Sequence, residues 1–204
     1  MPELLIATTN LGKLLEIRPL LEGLAIELVT LDAWPALAAP EETGRTFEEN
    51  ARSKAHYYAT ATGLVTVAED SGLEIDALDG APGVESARYG GPGASYQRKF
   101  SLIYDALRER GAAGSPARFV CVLALASRDR ILFEARAAVA GCIAPAPTGD
   151  GGFGYDPIFF YPPFGCTLAE AGDRKSTVSH RGQAFRALRA FLLGAPEQFV
   201  SLQF

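Results

Sequence analysis

The chain has 204 residues, 48% hydrophobic and 21% charged, with a formal net charge of −5. That length supports one globular domain over residues 1–204, with enough core to need no disulfide or metal staple. The acidic balance argues against coating nucleic acid, which needs a basic face, yet it leaves room for one compact anion site. The three cysteines, Cys121, Cys142 and Cys166, show no Cys-x-x-Cys spacing, and only His56 and His180 could join them. A zinc site of Cys/His type is therefore not expected, and a reduced, cytoplasmic protein is. No apolar run has the length of a membrane span, and Met-Pro-Glu-Leu-Leu-Ile-Ala lacks the basic start of a signal peptide.

Leu4 to Thr8 reads as a first strand, followed by a helix that Asn10 caps and whose apolar face is Leu14, Leu15, Ile17 and Leu21. Pro19 lies inside that pattern, where it would kink the helix or end it early. Ile26 to Leu31 reads as a second strand and residues 32 to 45 as a loop. Thr46-Phe47-Glu48-Glu49 is a capping box for the next helix, with Phe47, Ala51, Ala55 and Ala59 as its stripe and Gly63 as its stop. Leu64 to Ala68 is a strand apolar on both faces, running into Glu69-Asp70 and then Ser71-Gly72, which is turn chemistry. Residues 80 to 93, rich in glycine and proline, form a long structured loop. Tyr96, Phe100, Ile103 and Leu107 mark an amphipathic helix closed by Gly111. Phe119–Ala126 and Ile131–Ile143 form a hairpin about Arg128-Asp129-Arg130. Ser179 caps a last helix with Ala184, Leu188 and Leu192 on its buried side. The order implies an α/β fold with a mixed sheet flanked by helices, the hairpin region projecting as a second lobe.

Four stretches carry chemistry. Thr8-Thr9-Asn10-Leu11-Gly12-Lys13 is a strand end, a polar turn and a helix start, where free N–H groups and the helix dipole favour phosphate. A lysine in that first turn opposes the dipole, which invites a functional explanation; the bland one is a plain cap and a surface lysine. Glu69 and Asp70 stand at a strand's carboxyl end, where acidic side chains hold a divalent cation or take a proton from water. Gly152-Phe153-Gly154-Tyr155-Asp156 sets glycines around aromatics, so backbone can approach a flat ligand while a ring stacks on it; core aromatics in a bulged edge strand would look the same. Lys175, His180 and Arg181 gather donors near a helix start. Elsewhere, Glu41-Glu42 reads as a solvated pair, Lys54 as a phosphate contact or a surface residue, and His56 as a partly exposed helix residue.

Taken together, Thr-Thr-Asn-x-x-Lys-x-x-Glu at 8–16, Glu-Glu-Thr-Gly-x-Thr-Phe-x-Glu-Asn-Ala-x-x-Lys-Ala at 41–55, Glu-Asp-Ser-Gly-Leu at 69–73, Gly-Ala-Pro-Gly-Val-x-Ser-Ala-Arg-Tyr at 80–89, Gly-Phe-Gly-Tyr-Asp-Pro at 152–157 and Lys-Ser-x-x-Ser-His-Arg at 175–181 resemble the inosine/xanthosine triphosphate pyrophosphatases. The resemblance spans Leu4 to about Leu192. Two departures are Thr9, where the family often has Gly, and Glu69, where bacterial members commonly have Asp.

The resemblance implies hydrolysis of non-standard purine nucleoside triphosphates (ITP, dITP, XTP) between the α- and β-phosphates, giving monophosphate and pyrophosphate. It implies Asp70 as proton acceptor for the attacking water, and Mg2+ held by Asp70 with Glu69 and Glu41, the choice between Glu41 and Glu42 staying open. Thr8, Thr9, Asn10, Leu11, Gly12 and Lys13 would hold the triphosphate with help from Lys175, and Ser71 would bond the nucleotide. Phe153, Gly154, Tyr155, Asp156, His180 and Arg181 would form the base pocket. A homodimer is implied too, with no nucleic-acid or membrane partner. Two rivals remain: a Maf-type nucleotide pyrophosphatase, which would lack this base pocket, and a nucleotide sensor without turnover, which would lack the carboxylates.

Overall fold

The computed structural model of the chain describes residues 1–194, so 195–204, the end of the expected single domain, lie outside the described residues. In chain order the elements are β1 (Glu3–Ile6), α1 (Leu11–Leu21), β2 (Glu27–Thr30), α2 (Phe47–Thr62), β3 (Val65–Ile75), α3 (Tyr96–Glu109), β4 (Pro116–Ala126), β5 (Ile131–Ile143), β6 (Phe159–Tyr161), β7 (Cys166–Thr167), α4 (Lys175–Val178) and α5 (His180–Gly194). The strands form one mixed sheet in the order β2-β1-β3-β4-β5-β6-β7, an α/β fold as expected. β4 sits centrally, which explains why its apolar run does not alternate: a strand covered on both faces buries every side chain. The chain folds as two compact units. One comprises Met1–Asp70, Cys121–Ala137 and the chain from Arg181 on; the other comprises Ser71–Val120 and Ala138–His180. No helix among the described residues is long and apolar enough to cross a membrane.

In the first unit β1 pairs in parallel with β2 and with β3, Leu4 opposite Leu28 and Val65, Ile6 opposite Thr30 and Val67. Parallel neighbours need a crossover, and α1 and α2 supply one each. Leu4, Ile6, Leu14, Ile17, Leu21, Val67, Leu123, Phe185 and Leu188 belong to one core. Each such side chain contributes about 1.5–3 kcal/mol on burial. Asn10 caps α1, its Oδ1 accepting from the Lys13 N–H at 3.2 Å. Pro19 does not end the helix, which runs on to Leu21. The carbonyl that Pro19 leaves without a helical partner belongs to Leu15, which is 76% exposed, so water can serve it. Leu15 therefore leaves the buried face expected for it. The stripe is Leu14, Ile17 and Leu21, and one residue further round lies about 100° off it.

α2 begins as its capping signal implies: Thr46 Oγ1 accepts from the Glu49 N–H at 3.1 Å. The returning carboxylate of Glu49 accepts from Arg45 N–H at 2.7 Å, one residue before the usual capping-box partner. Gly63, at φ +76°, ends the helix in the left-handed region. His56 is exposed on its outer face. β4 and β5 meet at the tight turn expected of them, where Ser127 N–H donates to the Arg130 carbonyl at 3.0 Å.

The second unit corrects the largest expectation. Ser71-Gly72 is no turn: β3 continues through both to Ile75. Gly72 is a glycine because a Cβ there would stand 2.5 Å from the Gly83 carbonyl oxygen and 2.4 Å from Ser86 Oγ. Close approach of the neighbouring loop, not a bend, needs the missing side chain. Leu73, Ile75, Phe100, Ile103, Leu107, Phe119, Ile143, Tyr155 and Phe159 belong to this unit's core. β6 and β7 extend it, with Cys142 opposite Phe160 and Phe160 opposite Thr167 in antiparallel register. These two strands went unread in the sequence, although Phe159-Phe160-Tyr161 between two prolines is an aromatic strand signal. The last helix starts directly after Ser179, and among the described residues it runs to Gly194.

Candidate active site

In the first unit the parallel register sets β1's end beside Val67, just before Glu69 and Asp70 on β3. The 8–13 turn follows β1, with Thr9, Asn10 and Leu11 exposed and Thr8, Gly12 and Lys13 half-buried. Thr8 Oγ1 accepts from the Asn10 N–H at 3.2 Å, and Lys13 Nζ lies 3.2 Å from Glu69 Oε1. Strand pleating sends adjacent side chains to opposite faces, so Glu69 and Asp70 acquire different neighbours.

Glu69 is 4% exposed. Its Oε1 accepts from Arg181 Nε at 2.8 Å and its Oε2 from the Cys121 thiol at 3.0 Å. Arg181, 1% exposed, also donates from Nη1 to Glu16 Oε2 at 2.5 Å. Burial alone would raise the Glu69 carboxyl; the Arg181 guanidinium and Lys13 ammonium outweigh it and hold it well below the ordinary range. Burial, reinforced by the same carboxylate, pushes the Cys121 thiol well up, so this cysteine is a donor and not a thiolate.

Asp70 faces α2. Asn50, fully buried on that helix, donates from Nδ2 to Asp70 Oδ2 at 2.9 Å while its Oδ1 accepts from Gly44 N–H at 2.8 Å. Lys54, one turn on, lies 3.5 Å from Asp70 Oδ1 and 2.5 Å from Glu42 Oε1. Burial raises the Asp70 carboxyl, and Lys54 and Asn50 offset that only in part. Two neighbouring carboxylates thus have their acidities driven apart, the pattern that separates an acid–base group from a permanently ionised one. Glu41 is exposed, whereas Glu42 is half-buried against Lys54. Among the described residues no three His, Cys, Asp or Glu side chains are gathered so as to hold a metal ion, so Glu41, Glu69 and Asp70 form no ready-made cage.

In the second unit Asp156 is buried and organises its turn. Its Oδ2 accepts from the Phe153 N–H at 2.8 Å and from Lys175 Nζ at 2.7 Å. Lys175 Nζ also lies 4.9 Å from the centre of the Phe153 ring. A Cβ at Gly152, whose φ is +69°, would meet Asp156 Oδ2 at 2.2 Å, so only glycine permits this turn. Phe153 and Gly154 are half-buried, while Tyr155 is buried with its hydroxyl donating to the Ser86 carbonyl at 2.8 Å. Phe153 is thus the less buried of the two aromatic rings in this turn. His180 packs its own ring on Phe119, centroids 4.9 Å apart and nearly parallel. Ser71 is half-buried on β3. The neighbours His180 and Arg181 serve different units.

Glu16, Glu42, Asn50, Lys54 and Cys121 were given no settled role from sequence. For Asn50 and Lys54 a signal existed: four residues apart, they share one helical face, and Asn50 adjoins the apolar stripe, where an amide needs a buried partner.

The model of the Ham1 family matches residues 4–191. The chain is 46% identical to a dITP/XTP pyrophosphatase of Thermus thermophilus (98% of this chain, 96% of the relative) and 45% identical to one of an Exiguobacterium species (94% and 97%). Among solved structures, a HAM1 protein from Coxiella burnetii superposes with a TM-score of 0.89 at 40% identity, over 96% of this chain and all of that one. With its motifs and fold matching over nearly its whole length, the chain belongs to the Ham1 family.

Proposed function

We propose that this protein hydrolyses non-standard purine nucleoside triphosphates (ITP, dITP and XTP) to the monophosphate and pyrophosphate. The observation that carries the proposal is the division of labour between two adjacent carboxylates in the middle of β3. Asp70 has its acidity weakened and stands against an amide and a lysine, while Glu69 is locked in ionic form by Arg181 and Lys13. Relatives named dITP/XTP pyrophosphatase at about 45% identity support the substrate class.

Phosphoryl-type transfer asks the protein for positioning and charge neutralisation more than for covalent chemistry. Asp70 accepts the proton of the attacking water; burial makes it the more basic carboxylate, which is the direction this role needs. Asn50 holds the Asp70 carboxylate in one orientation, and Gly44 in turn orients Asn50. Lys13 and the N–H groups of the 8–13 turn bind the phosphates, the incoming anion competing with Glu69 for the lysine. Phe153 stacks on the purine, with Lys175, His180 and Ser71 completing the nucleotide contacts.

A divalent ion such as Mg2+ fits the carboxylates facing α2. The Lys54 ammonium already stands against Glu42 and Asp70, so the place attracts a cation and offers hard oxygens. A site with few protein carboxylates suits Mg2+, which commonly takes one or two of them together with substrate phosphates and water. Asp70 and Glu42, which share the single Lys54 ammonium, are the ligands this geometry favours; exposed Glu41, and Glu69 already held by Arg181, Lys13 and the Cys121 thiol, are the weaker choices. Bound there, the ion would neutralise phosphate charge and lower the pKa of its water. Arg181, proposed from sequence as a base reader, is better assigned to holding Glu69. The protein is further proposed to act as a homodimer, which sedimentation would test.

The test is pyrophosphate release from a panel of purine and pyrimidine triphosphates, with and without Mg2+. ITP and XTP should exceed ATP by a wide margin, because a site of donors satisfies the C6 oxygen and leaves an amino group facing donors. Turnover of pyrimidine triphosphates in preference to ITP would instead favour a Maf-type activity, and no release from any substrate would favour a sensor.

A further inference from the structure

Lys99, on α3, is 4% exposed. Its ammonium donates to the Ala87 carbonyl at 2.6 Å and to the Ser86 carbonyl at 3.2 Å. It lies 4.8 Å from the centre of the Tyr96 ring and 6.0 Å from that of Tyr155. Among the described residues no carboxylate pairs with it, unlike the buried cations Lys175 and Arg181 and the half-buried Lys54. Burial pulls its pKa down, so the ammonium is held at a cost that a methionine of similar length would avoid. A charge kept under those conditions calls for a task.

The task is legible in what else meets Ser86. The Ser86 carbonyl accepts both the Lys99 ammonium and the Tyr155 hydroxyl. Its hydroxyl accepts from the Leu73 N–H at 2.9 Å and donates to the Gly83 carbonyl at 2.6 Å. One residue thereby ties the glycine-rich 80–93 loop to β3, to α3 and to the Phe153–Asp156 turn. That loop has few ladder bonds of its own, so its buried carbonyls need donors from outside. Tyr155 cannot be fixed unless its acceptor is fixed, and the ammonium is what holds the acceptor on the α3 side. The Tyr96 ring stands edge-on to Tyr155 at 5.4 Å, closing the group.

We propose that Lys99 is a positioning residue for nucleobase binding, its buried ammonium setting through Ser86 and Tyr155 where the Phe153 turn stands. The proposal rests on the reading of that turn as the base site. Lys99 itself touches none of Asp70, Asn50 and Lys54, so its loss should loosen base binding and spare the chemistry.

The experiment measures KM and kcat for ITP in Lys99→Met, Lys99→Ala and Phe153→Ala, using pyrophosphate release. Lys99→Met should raise KM about 10-fold, the scale of a slightly misplaced site, with kcat within about 3-fold. Methylammonium, which replaces the lost cation, should restore KM in Lys99→Ala, whereas tetramethylammonium, which has no donor, should not. An unchanged KM in Lys99→Met, a fall in kcat alone, or equal rescue by both ions would overturn the proposal. Should Lys99→Met be too unstable to assay, the two-ion titration of Lys99→Ala decides. Phe153→Ala separates the two readings: a raised KM there beside an unaffected Lys99→Met defeats only the role of Lys99. An unchanged KM in Phe153→Ala defeats the base site itself.

Discussion

The two units bury charge in opposite ways. Around Glu69 the first unit sets carboxylate against cation, with Arg181, Lys13 and Glu16 in one chain of ion pairs. Around Lys99 the second unit sets a cation against carbonyls and aromatic rings. In the first arrangement the charges hold each other, and the reward is a fixed electrostatic field in the middle of β3. In the second a charge holds the backbone, and the reward is geometry in a loop that has little regular structure. The second unit also contains a conventional pair, Asp156 with Lys175, but there too the carboxylate is shared with a backbone N–H. The lesson is that a buried ion is informative through what it restrains, not through being paired.

The sharpest way to break the first arrangement is Arg181→Met. It leaves Glu69 buried without its main counter-charge, and breaking a buried pair from one side costs about 3–5 kcal/mol. Chemical denaturation should show that loss. A change below about 1 kcal/mol would mean that Lys13 and the Cys121 thiol suffice to hold Glu69, and that Arg181 is free for another role.

Asp70→Asn tests the neighbouring carboxylate. Turnover should fall at least ~10²-fold, the lower range for a positioned general base, while the protein stays folded. Near-normal turnover at saturating Mg2+ would remove Asp70 from the chemistry and leave the contrast with Glu69 without functional meaning.

The smallest effect is a pH dependence of opposite sign at the two carboxylates. Glu69 has its acidity strengthened in the folded protein, so its stabilisation is complete above the unfolded value of about 4.3 and is lost as pH falls through and below it. Asp70 has its acidity weakened, so its ionisation opposes folding above its folded value, and that cost disappears as pH falls towards about 3.9. Thermal melts of Glu69→Gln should therefore lie below wild type at neutral pH and converge with it in acid. Melts of Asp70→Asn should match or exceed wild type at neutral pH and converge from above. Parallel curves for both variants would show that neither carboxylate is shifted.

Much of the site could be seen in the sequence, because its parts are local. A strand end followed by Asn10 and a helix start makes a phosphate-ready turn whatever surrounds it, and Thr46 with Glu49 caps α2 by short-range hydrogen bonds. Glycines at 152 and 154 announced a special backbone, since a Cβ at Gly152 would strike Asp156. Gly72 shows where such inference ends. Asp-Ser-Gly after an apolar strand has turn chemistry, and nothing local reveals that the 80–93 loop packs so closely on it that a glycine is needed in mid-strand. The ionic partners were equally hidden. Arg181 lies 112 residues from Glu69, and Lys54 lies 16 from Asp70, separations that only folding closes.

The sequence by itself determined most of the elements, the caps of α1 and α2, the α/β class and the family, because periodicity, capping and motif spacing are properties of neighbouring residues; β6, β7 and the far half of β3 escaped it. Tertiary structure alone decided which charges meet. It made Glu69 the more acidic carboxylate and Asp70 the more basic one, although they are adjacent in the chain. The physical reason is the pleat of β3, which turns consecutive side chains to opposite faces, one towards Arg181 and Cys121 and the other towards Asn50 and Lys54.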